Sequence, residues 1–238
     1  MTLKAILFDF NGVIINDERI HQELIDGILL GENLRPSGAE YQSICLGRSD
    51  RACIRDILYR RGRVISEEYL DKLVATKARL YRQKLQQLET LPIYPGLKDF
   101  LDQIQARELQ IGLVTGTLRS EVVFVLDRAG IASYFRVIVA GDDIKASKPE
   151  PDGYLLAVEC FNRHNFNLQL QPSNCLAIED TFPGIQAAKR AGMQVVGIAH
   201  TYPFHFMQRH ANWAIDGFSQ LELDRVEAVC SRQPVTKC

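Results

Sequence analysis

Five short runs of apolar residues constrain the fold of this chain more than any other feature. They are Ala5-Ile6-Leu7-Phe8, Ile111-Gly112-Leu113-Val114, Leu176-Ala177-Ile178, Val195-Val196-Gly197-Ile198 and Val137-Ile138-Val139. None alternates with polar residues, so each suits a strand buried on both faces rather than one with a wet side. Helical patterns separate them. Leu97, Phe100, Leu101 and Ile104 recur at helix spacing, as do Val122, Val123, Leu126 and Ala129, with Gly130 as a stop after the second set. Strands alternating with helices imply an α/β fold, a doubly wound parallel sheet with right-handed crossovers.

Residues 18–90 interrupt this alternation and hold no strong strand run. The stretch SEEYLDKLVATKARLYRQKLQQLE places Leu70, Leu73, Val74, Tyr81 and Leu88 on one face, with Ser66 as cap and Glu67 and Glu68 in the first turn. Leu91-Pro92-Ile93-Tyr94-Pro95-Gly96 then serves as a return hinge, because its prolines cannot continue a helix. The expected organisation is an α/β core of residues 1–17 and 91–238, with 18–90 inserted as a helical domain. Ser231 to Cys238 read as a frayed tail.

A formal net charge of −1 gives no global field toward nucleic acid or an anionic membrane. The local basic cluster Arg48, Arg51, Arg55, Arg60, Arg61 and Arg63 reads mostly as a solvated helix face. No apolar stretch reaches the roughly 18 residues of a membrane span. The six cysteines form no CxxC pair and no zinc-ligand cluster, so they are expected as free thiols in a reducing, cytoplasmic setting.

In an open parallel sheet, ligands bind beyond the carboxyl ends of the strands. Asp9-Phe10-Asn11-Gly12 follows the first run, and Thr115-Gly116-Thr117 the second. Ser147-Lys148-Pro149 follows the Val137 run, and Glu179-Asp180-Thr181 the Leu176 run. Three carboxylates, Asp9, Glu179 and Asp180, can hold one hard divalent cation such as Mg²⁺. Thr115 can donate its hydroxyl and backbone N–H to a phosphoryl oxygen at the start of the following helix. Lys148 brings a fixed positive charge to the same oxygens. Asp9 is then placed to attack phosphorus and form an aspartyl phosphate. Each residue alone has a plainer role, as a turn, a cap or a compensating charge. Four sets at four strand ends are much less easily accounted for that way.

These motifs resemble those of the haloacid dehalogenase (HAD) superfamily, in the branch that includes β-phosphoglucomutase and its phosphatase relatives. The resemblance runs from Asp9 to about Pro203: DFNGV where the family has DxD, LVTGT with Thr115, SKPEPDGYLLA with Lys148, and IEDTFPGIQAAKRAGM with Glu179 and Asp180. NDERIH, with Glu18 and His21, is similar to the family's DSExxH stretch, and LGRSDRACIRDIL to a segment that helps bind substrate. The resemblance implies a Rossmann-like core whose insert is a helical cap. It also implies Mg²⁺-dependent hydrolysis of a small phosphorylated metabolite, with no nucleic-acid or membrane partner. Asp9, Asn11, Thr115 and Lys148 are then the catalytic set. Thr115, Gly116, Thr117, Lys148, Arg48 and His21 bind substrate. Asp9, Asn11 (through its backbone carbonyl), Glu179 and Asp180 hold the metal. Arg119, at the start of the helix after Thr115, is a further candidate for substrate contact.

Asn11 departs from that pattern. The family's second aspartate protonates the leaving oxygen and then activates water, and an amide does neither near neutral pH. General acid–base catalysis is worth roughly 10²–10⁴-fold, or about 3–5 kcal/mol of barrier. Asn16 and Asp17 also stand where the family often has Asp and Ser. The readings left open are a slow phosphatase favouring good leaving groups, and an enzyme whose proton is carried by another group such as Asp17 or His21. A binding protein with impaired turnover and a chain altered to trap an intermediate are two more. A β-phosphoglucomutase-like mutase fits less well, since it needs the missing group twice per cycle.

Overall fold

The computed structural model describes residues 2–232. Among them, six strands form one parallel sheet: β1 (Ala5–Phe8), β2 (Gln110–Val114), β3 (Val137–Val139), β4 (Cys175–Glu179), β5 (Gln194–Ile198) and β6 (Trp213–Ile215). Their spatial order is β3-β2-β1-β4-β5-β6. All five apolar runs are strands, and every residue of β1 and β4 is buried. The sixth strand was not expected. Trp213-Ala214-Ile215 is too short to stand out as an apolar run and earns its place by pairing with Val196, Gly197 and Ile198.

The chain winds outward from β1 to β3, then returns to lay β4 on the opposite side of β1. The crevice beside β1 is thus the topological switch point where such sheets bind ligands. In register, Phe8 sits opposite both Leu113 and Ile178. The ladder extends one residue further, where the Asp9 N–H donates to the Ile178 carbonyl at 3.0 Å and the Thr115 N–H to that of Val139 at 2.9 Å. Residues just beyond three adjacent strands therefore arrive at one place.

Helices α5 (Leu97–Ala106), α6 (Arg119–Arg128) and α10 (Leu223–Arg232) cover one face of the sheet. Phe8 meets Phe100 edge-on and Phe218 at a tilt, while Phe100 and Phe218 stack on each other. Helices α7 (Asp152–His164), α8 (Phe182–Arg190) and α9 (Phe204–His210) cover the other face. Gly112 must be small because a Cβ there would lie 2.6 Å from Leu7 Cδ2. On α6 the buried residues are Glu121, Val122, Val125 and Leu126, while Val123 is exposed, one position off the expected stripe.

Four helices lie between β1 and α5: α1 (Glu18–Gly31), α2 (Gly38–Ile44), α3 (Asp50–Arg60) and α4 (Glu67–Gln86). They share an apolar cluster of their own, including Ile25, Leu29, Ile54, Ile57 and Leu70. Ser37, Ser49 and Ser66 cap α2, α3 and α4 by accepting from the N–H groups of Glu40, Ala52 and Tyr69, each cap worth about 1 kcal/mol. Leu88 falls beyond the end of α4 and is exposed, so the buried face runs Leu70, Val74, Lys77, Tyr81 and Leu85. The clustered arginines are largely paired: Arg51 meets Glu67 and Asp71, and Arg61 meets Glu40. The two crossings into this region run side by side, with the Asn16 N–H donating to Pro92 O at 2.8 Å and the Tyr94 N–H to Ile14 O at 3.1 Å.

One expectation about cysteine is corrected. Cys45 and Cys53 form a disulfide, with Cα atoms 4.6 Å apart, because the end of α2 and the start of α3 fold back on each other. Their spacing of eight residues carried no pairing signal. Cys160 and Cys175 are free. The side chain of Cys230, the expected frayed tail after Arg232 and Cys238 fall outside the described residues. No helix among the described residues is long and apolar enough to cross a membrane.

Candidate active site

Asp9, Glu179 and Asp180 each offer a carboxylate oxygen, and the three atoms lie within 4.8 Å of one another. All three residues are buried. Lys148 Nζ reaches into the group, 2.7 Å from Asp9 Oδ1 and 2.6 Å from Glu179 Oε1, and donates to the Val114 carbonyl at 3.2 Å. The Tyr154 hydroxyl also donates to Glu179, and that of Thr201 to Asp180. Glycine makes this approach of backbone and carboxylate possible. A Cβ on Gly12, which has φ of +74°, would lie 1.8 Å from Asp180 Oδ2, and one on Gly184 would lie 1.9 Å from Glu179 Oε2.

Three carboxylates face one ammonium, and the excess shows in their protonation. Burial, then the Asp9 charge, pushes Glu179 up to about 7 against the pull of Lys148. Burial and the charges of Asp9 and Glu179 hold Asp180 well above the ordinary aspartate range. Burial works against the Lys148 charge, but Asp9 and Glu179 overcome it and raise its pKa. Glu179 Oε2 and Asp180 Oδ1 are buried without a hydrogen-bond partner. Orphan oxygens and surplus negative charge are what a hard divalent cation with oxygen preference satisfies, so the residues present fit Mg²⁺.

Thr115, Gly116 and Thr117 lead from β2 toward α6. Thr115 Oγ1 accepts from the Thr117 N–H at 3.1 Å. Gly116 is pressed against the loop between α2 and α3, where a Cβ would lie 2.7 Å from Ser49 Cα. The same loop is tied down by the Ser49 N–H, which donates to Ser147 Oγ at 2.7 Å. Gly47, with φ of +75°, sits on Thr181. The inserted helices thus lie closed over the strand ends and enclose a cavity of about 40 Å³. Every residue expected to bind substrate lines it, His21 and Arg48 included, as do Asp9 and Asn11. Arg119 does not; its guanidinium is taken by Asp143 and the Ile138 carbonyl.

Asn11 is fixed from both ends. Its Oδ1 accepts from the Thr117 hydroxyl, and its Nδ2 donates to Asp17 at 2.9 and 3.1 Å. Asp17 is fully buried and also accepts from the Tyr81 hydroxyl, with His21 Nε2 3.2 Å away. Lys77 Nζ lies 2.6 Å from His21 Nδ1, and His21 Nε2 lies 2.9 Å from Asn11 Nδ2 as well as beside Asp17, so one histidine ring ties the three side chains together. Burial would raise the Asp17 pKa, but His21 and three hydrogen bonds bring it below the usual range. Lys77, with no exposed surface, is further met by Asp50 at 2.6 Å and Glu121 at 3.5 Å.

Several members of this network were not singled out in the sequence. Lys77 left a trace, a lysine between Val74 and Tyr81 on the inward stripe of α4. Tyr154 and Thr201 left none, because their partners lie 25 and 21 residues away along the chain. His200 donates from Nδ1 to the Gly12 carbonyl at 2.7 Å and stacks on Tyr94 at 3.6 Å, which steadies the turn after Asp9.

Fold and site define an α/β protein of the switch-point type, with a lysine-bridged carboxylate trio at the carboxyl edge of its sheet and a helical insert closed over it. Residues 3–192 match the haloacid dehalogenase-like hydrolase family, and the chain belongs to it. A curated relative, the phosphorylated carbohydrates phosphatase of Thermotoga maritima, is 26% identical over 201 residues, covering 84% of this chain and 87% of that protein. Among solved structures, β-phosphoglucomutase from Clostridium difficile superposes with a TM-score of 0.83 at 23% identity, covering 96% of this chain and 97% of that one. CbbY from Rhodobacter sphaeroides, in complex with xylulose-(1,5)bisphosphate, gives 0.79 at 23% identity, over 92% and 96%. At these identities the structural likeness speaks for the fold.

Proposed function

We propose that the protein is a Mg²⁺-dependent hydrolase of a small phosphate monoester, acting through an aspartyl phosphate on Asp9. The observation that carries this reading is that Asp9 lines one cavity with Thr115 and Lys148 while its carboxylate lies within 4.8 Å of those of Glu179 and Asp180. Phosphatases among the relatives support it. The domain division would be a core of residues 1–17 and 91–238 with 18–90 as the cap.

Asp9, Glu179, Asp180 and the Asn11 carbonyl would hold the cation, which when bound neutralises their surplus charge and draws electron density from a phosphoryl oxygen. The chain's own groups do the rest. Lys148 and the Thr115 hydroxyl hold the phosphoryl oxygens, and Asp9 attacks phosphorus as the alkoxide leaves; water then attacks the aspartyl phosphate, which releases inorganic phosphate and frees the Asp9 carboxylate. The closed insert keeps bulk water away until the ester bond breaks. Asn11 cannot give the leaving oxygen a proton, and Asp17 beside it is held ionised by three donors, which makes it a poor acid. The enzyme would therefore be slow on ordinary alcohols and faster on leaving groups that need no protonation.

Phosphate release with Mg²⁺, measured against a panel of small monoesters, tests this. Turnover is expected for the chain as it stands and none for Asp9→Asn. If esters bind and protect the protein from unfolding but no phosphate is released, the protein is a phosphometabolite-binding member of the family.

A further inference from the structure

We infer that the alcohol part of the substrate bears hydroxyl or amine hydrogens and carries no second acid group; this rests on the phosphatase reading above. The charges on the cavity wall decide it. Two cations line the cavity, Lys148 and Arg48. Lys148 belongs to the phosphoryl end, bridged to Asp9 and Glu179. Arg48 has its charge met by Asp56 at 2.6 Å and donates to the Ile44 carbonyl at 2.9 Å. A third cation, Lys77, lies behind the wall with no exposed surface, and its three neighbours, Asp50, His21 and Glu121, all belong to the protein.

Away from Asp9 the wall presents acceptors. Glu18 and Asp50 both line the cavity. Glu18 accepts from the Tyr41 hydroxyl and meets no lysine or arginine within ion-pair reach among the described residues. A carboxylate or second phosphate here would face Glu18, which no cation balances at ion-pair distance among the described residues, beside an Asp50 already balanced by Lys77, and would find Arg48 and Lys148 taken. Like charges brought together out of water repel strongly. A hydroxyl or ammonium would instead donate to Glu18 or Asp50 in a charge-assisted hydrogen bond.

The test is kcat/KM for phosphate release, with Mg²⁺, from glycerol phosphate, phosphoethanolamine, phosphoglycolate, a pentose bisphosphate and p-nitrophenyl phosphate. Glycerol phosphate or phosphoethanolamine should exceed both acid-bearing esters by at least about tenfold. Glu18→Gln should raise KM for the better of the two by about tenfold, more for an amine than for a polyol. Faster release from phosphoglycolate or the bisphosphate overturns the inference and leaves the phosphatase reading standing. No release from any ester, p-nitrophenyl phosphate included, overturns both.

Discussion

Two buried carboxylate centres lie at the same end of the sheet and are built on opposite plans. The Asp9, Glu179 and Asp180 centre crowds three acids around one lysine and leaves two buried oxygens without partners. The Asp17 centre gives one acid three donors, from Asn11, His21 and Tyr81. Glu179 and Asp180 are pushed up, whereas Asp17 is brought down. The first leaves Glu179 Oε2 and Asp180 Oδ1 unsatisfied within the protein. The second is complete within the protein, and Asn11 belongs to it as a donor.

That contrast can be broken most sharply at Asp9. Asp9→Asn should lower phosphate release by about 10⁴–10⁶-fold, since nucleophile removal leaves only binding and electrostatics; a steady-state assay with added Mg²⁺ reads it. Next is Asn11→Asp. Restoring the family's second aspartate puts a carboxylate against ionised Asp17, in place of an amide that donates to it at 2.9 Å. The variant should lose about 3–5 kcal/mol of stability and gain little activity. Asn11→Asp combined with Asp17→Asn should recover most of that loss. Urea unfolding of the four forms measures the coupling, and additive single effects would show that the two side chains are independent.

The centres should also respond oppositely to pH without divalent cation. Glu179 binds a proton more tightly in the folded chain, rising from 4.5 to about 7. Its contribution to stability is full below its ordinary value and fades as pH climbs through about 7, by on the order of 3 kcal/mol. Asp17 contributes above its ordinary value of 3.8 and loses that contribution only as pH falls lower. Thermal unfolding between about pH 2 and 8 separates the two windows, the lower one for Asp17 and the upper one for Glu179. Last, Mg²⁺ at about 100 times its Kd should stabilise the protein by about 2.7 kcal/mol and flatten the upper window. Asp180→Asn should abolish that stabilisation and, without cation, relieve part of the crowding.

Much of this was legible in the residues. Five apolar runs announced their strands because central strands of a parallel sheet are buried on both sides and tolerate little polarity. Asp9, Thr115, Lys148, Glu179 and Asp180 were readable because polar residues after such runs collect at one edge. Less was readable where a contact spans the insert. Val123 falls one position off the buried stripe, since periodicity alone does not say which side of a stripe meets the sheet, and Leu88 lies past the point where α4 ends. Cys45 and Cys53 pair only because α2 and α3 turn back on each other.

By itself the sequence determined the α/β class, the polar residues that follow its strands and the amide at position 11. Only the tertiary structure decided what that amide touches. A side chain's partners depend on how helices from the insert pack over the sheet, and Tyr81 reaches Asp17 from 64 residues away. Apolar burial is written locally, residue by residue, while charge balance in an enclosed site is a sum over elements that meet only when folded.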